Sequence, residues 1–338
     1  LKVLDLTRLL PGAFCTQLLA DYGADVLKIE QPGTGDYNRQ FAPIAKKESG
    51  AFLLLHPHTR SMTRHLKPGE GRDIFCKLVK EADVIVEGFR PGVMQRLGLG
   101  YEALQAVNPR VVYCAISGFG QDGPDALKSG HDLNYMGIAG ALQLFGTPGT
   151  GPIVPGLSIA DVGGGSLMAA FGILTALAAR DRTGKGQFVD ISMTDGLVSW
   201  LCYHAADYLF AGVEPRGGVQ RFLGGAPCYN VYRCADNLHL TLGIIEEHFW
   251  HRFCDLIGRP DFKAAQWPVG SSRACGKSSQ PGAAITGCRR SSRPTFRPAL
   301  SIRWKRPSGI RSSCIAACCS TSSTRSRDVF PSSAFQSS

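Results

Sequence analysis

The sequence predicts an α/β protein: a parallel sheet covered by helices, followed by a smaller α+β domain. Three observations predict it. From Leu1 to about Arg180, short apolar runs alternate with amphipathic stretches, the pattern of helices crossing over a parallel sheet. Beyond Gly217, aromatic and β-branched residues alternate around Asp236 and Asn237, which signals a hairpin. At 338 residues the chain is long enough for a large core and two domains. The expected divisions are residues 1–205 for the large domain, 206–268 for the start of the smaller one, and 269–338 for a tail of different composition.

Each element has its own signal. "LKVLDL" reads as a buried strand, "PGAFCTQLLADYGADV" as an apolar-periodic helix ending near Gly23, and "DVLKIE" as a second strand. "EGRDIFCKLVKEA" is amphipathic at helical period and precedes the strand "DVIVEGF". "YEALQAVNP" is a short helix stopped by Pro109, and "RVVYCAIS" is the next strand. An apolar helix is expected from Ser166 to Arg180, then the turn "DRTGKG", the strand "QFVDIS" and the helix "LVSWLCYHAADYLFAG". The hairpin begins the second domain, which continues through the helical "EEHFWHRFCDLIG".

Apolar residues at 44% and charged residues at 19% fit a soluble globular protein. The net charge of +10 points to nucleic acid only if it is spread over the fold. It is not: beyond Pro268 lie twelve of the 37 basic residues and one of the 27 acids, Asp328, which leaves 25 against 26 in the body. No nucleic-acid partner is expected. The tail holds 18 Ser and 10 Arg with no sustained period. A disordered basic tail is one reading. The favoured one is out-of-frame translation of a GC-rich gene, because Phe296, Trp304, Phe330 and five Cys are unusual company for evolved disorder. The twelve Cys form no zinc spacing. "LMAAFGILTALAA" is too short to span a bilayer and no signal peptide is read, so a cytoplasmic protein with no membrane contact and no metal is expected. The chain opens at Leu1 rather than Met, so a few preceding residues are expected.

Three motifs carry chemistry. "GFGQDG", Gly118 to Gly123, matches a dinucleotide fingerprint, but Pro124 follows and no acid occurs between Asp132 and Asp161. A glycine-rich turn is the better reading, and NAD is rejected. "EGFRPGVMQRLGLG" sets Arg90 and Arg96 past a strand end, as phosphate ligands or as a solvated surface pair. "SGHDLNY" and "LSIADVGGGS" place His131 and Asp161 thirty residues apart. His131 taken alone is a satisfied polar residue, and Asp161 an N-cap. Together they supply two groups able to exchange a proton, beside free backbone N–H donors near Val162 to Gly164 for a developing oxyanion.

These motifs, with "VLDLTRLLPGAFCTQLLADYGADVLKIEQPGTGD", "NPRVVYCAISGFGQDGP" and "RTGKGQFVDISMTDG", resemble the family III CoA-transferase superfamily (CaiB/BaiF type) in order from Leu1 to about Gly258. The resemblance implies a Rossmann-like large domain, a smaller domain, and an interlocked homodimer. It implies acyl-CoA as substrate, with CoA entering as part of the substrate and no prosthetic group. It also implies that Arg39, Arg60, Arg90 and Arg96 hold CoA phosphates or adenine, with Phe89 as a contacting aromatic. "GHDLNY" is similar to the α-methylacyl-CoA racemase branch, in which the equivalents of His131 and Asp161 are the acid/base pair and that of Glu246 supports the histidine. The implied activity is racemisation of a 2-methylacyl-CoA. The alternatives are CoA transfer through an aspartyl-CoA intermediate on Asp161, or an inactive truncated fragment. "HPHTRSMTRHLK" departs from the family's usual "N-x-N-K-R-S", with Thr59 in place of a basic residue.

Overall fold

The structure is a computed structural model that describes residues 1–267, apart from 46, 68 and 235, together with the strand at 299–300. Most of the expected tail at 269–338 therefore lies outside the described residues. The chain divides into two compact units, Leu1–Gly218 and Val219 onward. The first unit runs past the expected division after Ala205, because the helix Cys202–Ala211 belongs to it.

The first unit is built on six parallel strands: β1 (Lys2–Asp5), β2 (Asp25–Glu30), β3 (Thr59–Thr63), β4 (Val84–Glu87), β5 (Val112–Ser117) and β6 (Phe188–Ser192). Their order is β6-β5-β4-β1-β2-β3, the doubly wound arrangement that reverses direction between β1 and β4. Every residue of β4 and β5 is buried, which is why these strands read as apolar runs without alternation. β3 was not signalled by the sequence. It is an edge strand of mostly polar residues, "TRSMT", and none of its side chains is fully buried.

Two cores line the two faces of the sheet, and alternate residues of β4 feed them. Val84 and Val86 pack with Cys15 and Leu19 of α1 (Leu9–Asp21) and Ile173 of a long helix described below. Ile85 faces the other way, toward Phe75 and Val79 of α2 (Glu70–Val79) and Leu104 of α3 (Tyr101–Val107). The loop after β5 leads to α4 (Asp132–Ile138), so Gly123 opens a turn rather than a helix.

The long helix, α5, starts earlier than expected. It runs from Ala160 to Thr183, π-helical to Leu167 and α-helical beyond. Its 24 residues have the length and composition of a membrane span, which corrects the expectation drawn from the shorter apolar run. Ala169, Ile173 and Ala176 are nonetheless buried in the core beneath the sheet, so packing accounts for its apolar character. Its glycines allow a close approach to α6 (Met193–Trp200). A Cβ on Gly163 would lie 2.6 Å from the Trp200 ring, and one on Gly164 would collide with the Met193 carbonyl. Beyond α6 the expected single helix breaks at Leu201, and α7 (Cys202–Ala211) follows with no buried residue.

One buried charge fixes the β1–α1 turn. The Lys28 ammonium on β2 is 1% exposed and sits 3.0 Å from Asp36 and 3.4 Å from Asp5, donating to the Thr7 carbonyl at 2.9 Å. Asp5 accepts the Thr7 N–H and hydroxyl and the Thr16 hydroxyl. Asp36 accepts the Leu9 N–H, with Leu9 at φ +64°, a conformation that costs a branched residue about 1–2 kcal/mol. Burial works against the ammonium, yet Asp5 and Asp36 outweigh it and hold Lys28 above its ordinary pKa.

The second unit contains the expected hairpin, β7 (Tyr229–Arg233) against β8 (His239–Gly243), turning through Asn237 at φ +62°. The two-residue strand β9 (Ala299–Leu300) pairs antiparallel with β8. Helix α8 (Glu247–Leu256) supplies Trp250 and Phe253 to a small core with Leu240, Leu242 and Ile244.

Replacing Lys28 by alanine strands two buried carboxylates. The Lys28→Ala variant is expected to lose about 3–5 kcal/mol of stability, measured by urea unfolding followed by circular dichroism.

Candidate active site

His131 and Asp161 are brought together by α4 and α5. His131 caps α4, and its backbone N–H is satisfied by Asn134 Oδ1 at 3.0 Å. Its imidazole is exposed and has no ion pair among the described residues. The next residue, Asp132, accepts the Asp161 N–H at 3.0 Å and ties the two segments. Asp161 is half-buried, and its carboxyl is pushed up to about 6 by burial and then by the Asp132 charge, against the opposing pull of His131. A carboxyl held near 6 and a neighbouring imidazole that act on each other can each give or take a proton.

The surroundings are polar on one side and aromatic on the other. Tyr135 is buried, with its hydroxyl donating to the Gly130 carbonyl. Burial and the Asp161 charge raise its pKa, while Arg90 lowers it. Arg90 in turn donates to Ser129 Oγ at 2.6 Å. The expected oxyanion donors need correction. Because α5 begins before Asp161, the Val162 N–H already bonds the Ser158 carbonyl and the Asp161 N–H bonds Asp132. For the same reason Asp161 is not an N-cap but a residue of the first turn.

A separate cleft of about 460 Å³ opens at the carboxyl ends of β1, β2, β3 and β4, where strand order reverses. Such switch points are where open α/β sheets hold ligands. Arg8, Arg64, His65, Lys67 and Phe89 line it. Arg8 donates to Gln31 and to the Tyr37 hydroxyl, and its guanidinium lies 5.4 Å from the Phe89 ring centre and 5.3 Å from that of Tyr37. Among the described residues no acid pairs with Arg8, Arg64 or Lys67. Glu30 and Asp36 at the margin are neutralised by Arg39 and Lys28. The cleft is therefore cationic and suits phosphate.

The expected cofactor-side residues divide. Phe89 lines this cleft. Arg39 grips Glu30 through two bonds, pairs with Glu48, and stacks 3.8 Å from the Phe52 ring centre, so its charge is already compensated. Arg60 sits near the amino end of β3 and is held by Asp25 at 2.6 Å, away from the carboxyl ends. Arg90 belongs with Ser129 and Tyr135, near Asp161. Arg96 is the exposed last residue of a helical turn, Val93–Arg96, above Gly92, with no ion pair among the described residues. Sequence reasoning missed Arg8, Arg64, Lys67 and Asp132. Arg8 lies three residues past the end of β1 and Arg64 directly follows β3, a positional signal that was available for β1 but hidden for the unread β3. Glu246 lies exposed at the start of α8, in the second unit.

The family model described as CoA-transferase family III matches residues 1–288. The chain belongs to this family. Among the relatives, human α-methylacyl-CoA racemase is 40% identical over 259 residues, covering 76% of this chain and 64% of the relative. Acetyl-CoA:oxalate CoA-transferase of Acetobacter aceti is 38% identical over 262 residues, covering 77% and 67%. A solved CAIB/BAIF family protein of Brucella suis superposes with a TM-score of 0.69 at 32% identity, covering 81% of this chain and 73% of that one. The chain spans less than two thirds of the human racemase, and 58% of an acyl-CoA transferase of Fusarium pseudograminearum. Family III thus supplies racemases and transferases as relatives of comparable similarity.

The raised Asp161 carboxyl makes a signed prediction. Stability from the protonated carboxyl is fully present below its unfolded value near 4 and is lost as pH rises through about 6. Asp161→Asn is spared that loss, so its urea midpoint should gain on wild type by the equivalent of about 2 kcal/mol between pH 4 and pH 8.

Proposed function

We propose that this family III chain moves the α-proton of a 2-methylacyl-CoA thioester, with His131 and Asp161 as the two acid/base groups. The observation that carries the reading is an accessible imidazole electrostatically coupled to a carboxyl held near pH 6. One group takes the proton from Cα, and the C–H electron pair moves toward the thioester oxygen as an enolate. The other group returns a proton to the opposite face, which inverts the centre. A thioester stabilises the carbanion better than a free carboxylate, so CoA activates the substrate as well as anchoring it. The cationic cleft at Arg8, Arg64 and Lys67 supports an anchoring role toward the CoA phosphates.

A second reading has specific support. Several relatives of similar identity are named as CoA-transferases, and Asp161 is a half-buried carboxyl of the kind that can form an acyl anhydride. The readings differ in covalency. Incubating the full chain with a 2-methylacyl-CoA in deuterated solvent should incorporate deuterium at Cα, followed by proton NMR. His131→Ala and Asp161→Ala should each cut the rate at least ~100-fold. Retained exchange in both variants would end the two-base proposal. A hydroxamate trapped by hydroxylamine, formed only with Asp161 present, would favour the transferase. Arg8→Ala should weaken coenzyme A binding about tenfold and flatten its salt dependence, read by calorimetry at two ionic strengths.

A further inference from the structure

The central strand β4 ends on a carboxylic acid that the proton chemistry does not use. Glu87 is 4% exposed. Its Oε2 accepts the Phe89 N–H at 2.7 Å, and its Oε1 lies 3.4 Å from the Tyr113 hydroxyl on β5. The intervening Gly88 is where an added Cβ would lie 3.8 Å from the Thr7 Cβ. Two residues after Glu87, the Phe89 ring forms the cleft wall on which Arg8 rests. The carboxylate thus holds, through one backbone hydrogen bond, the turn that aims an aromatic platform at the anion cleft.

We propose that Glu87 is a positioning residue: its ionised carboxylate fixes the Phe89 turn, and its protonation loosens the cleft's grip on a nucleotide phosphate ligand. A carboxylate accepts an N–H more strongly than a neutral acid does, so the ligand-competent turn and the ionised form favour each other. Burial pushes the group up to about 7, with Asp190 of β6 adding to the rise and the Phe89 N–H and Tyr113 hydroxyl opposing it. Cys114, also on β5, is a further titratable neighbour and is itself held neutral by burial. The switch therefore operates across the neutral range. By linkage, ligand binding draws a proton off Glu87, and the affinity rises with pH until the group is ionised in the free protein. The inference rests on the reading of the cleft as a coenzyme A site only for the identity of the ligand.

Two readouts on the full chain separate the possibilities. Coenzyme A binding by calorimetry should tighten about tenfold from pH 6 to pH 8 in wild type, the change expected for one pKa unit of coupling. Glu87→Gln, which keeps an acceptor for the Phe89 N–H but cannot ionise, should lose that component. His65 and the ligand's own phosphate monoester, with its second ionisation near ~6, contribute equally to both proteins and cancel in the comparison. Independently of ligand, the Phe89 amide resonance should titrate with a midpoint near 7 in wild type and not in Glu87→Gln. Equal pH profiles for binding in the two proteins, or a Phe89 amide that does not titrate, overturn the proposal. A titrating amide without coenzyme A binding at any pH upholds the Glu87–Phe89 coupling and overturns the coenzyme A reading instead.

Discussion

The Lys28 ammonium, enclosed between Asp5 and Asp36, is the constraint on which the first unit depends. It joins β1, β2 and the segment after β2 at the carboxyl end of the sheet, where the cleft opens. Such a pair gains little over apolar packing, yet it is costly to disrupt. Its contribution is geometric. Asp5 takes the Thr7 and Thr16 donors, Asp36 takes the Leu9 N–H, and the backbone between them is held in an unfavourable left-handed step. Arg8 is thereby set at the cleft mouth between two aromatic rings. The charge is buried so that another charge can be presented.

A second constraint acts where α5 meets α6. With no side chain on Gly163 and Gly164, α5 lies against Trp200 and the Met193 carbonyl, while the Ser166 hydroxyl bonds the Pro11 carbonyl at 2.6 Å. The π-helical turn that results carries Asp161 into contact with Asp132 rather than into solvent. The glycine run that follows Asp161 in the sequence is thus a packing device. Its value to the site is that it sets the backbone from which one carboxyl projects.

Much of this was legible beforehand, and for physical reasons. β4 and β5 read correctly because every residue in them is buried and nearly all are apolar. The hairpin of the second unit read correctly because its burial alternates along β8. His131 and Asp161 were found as chemistry-bearing residues in glycine-rich surroundings, and the structure couples them electrostatically. What failed was context. β3 is a polar edge strand, so it left no apolar signature, and Arg64 and Lys67 just beyond it went unnoticed. Arg39 and Arg60 came from the family resemblance alone, and their ion-pair partners, Glu30 and Asp25, are nine or more residues away in sequence. Asp132 was passed over because its acceptor role depends on a backbone N–H twenty-nine residues distant.

The reversal of strand order divides one end of the sheet into two stations. Arg8, Phe89 and their neighbours gather above β1 through β4, whereas His131 and Asp161 follow β5 and precede β6. On the proposed reading, a thioester is gripped by its nucleotide at one station and reacts at the other. A clipped substrate lacking the nucleotide would then forfeit turnover as well as attraction, because remote contacts are what hold the reacting carbon between its two bases.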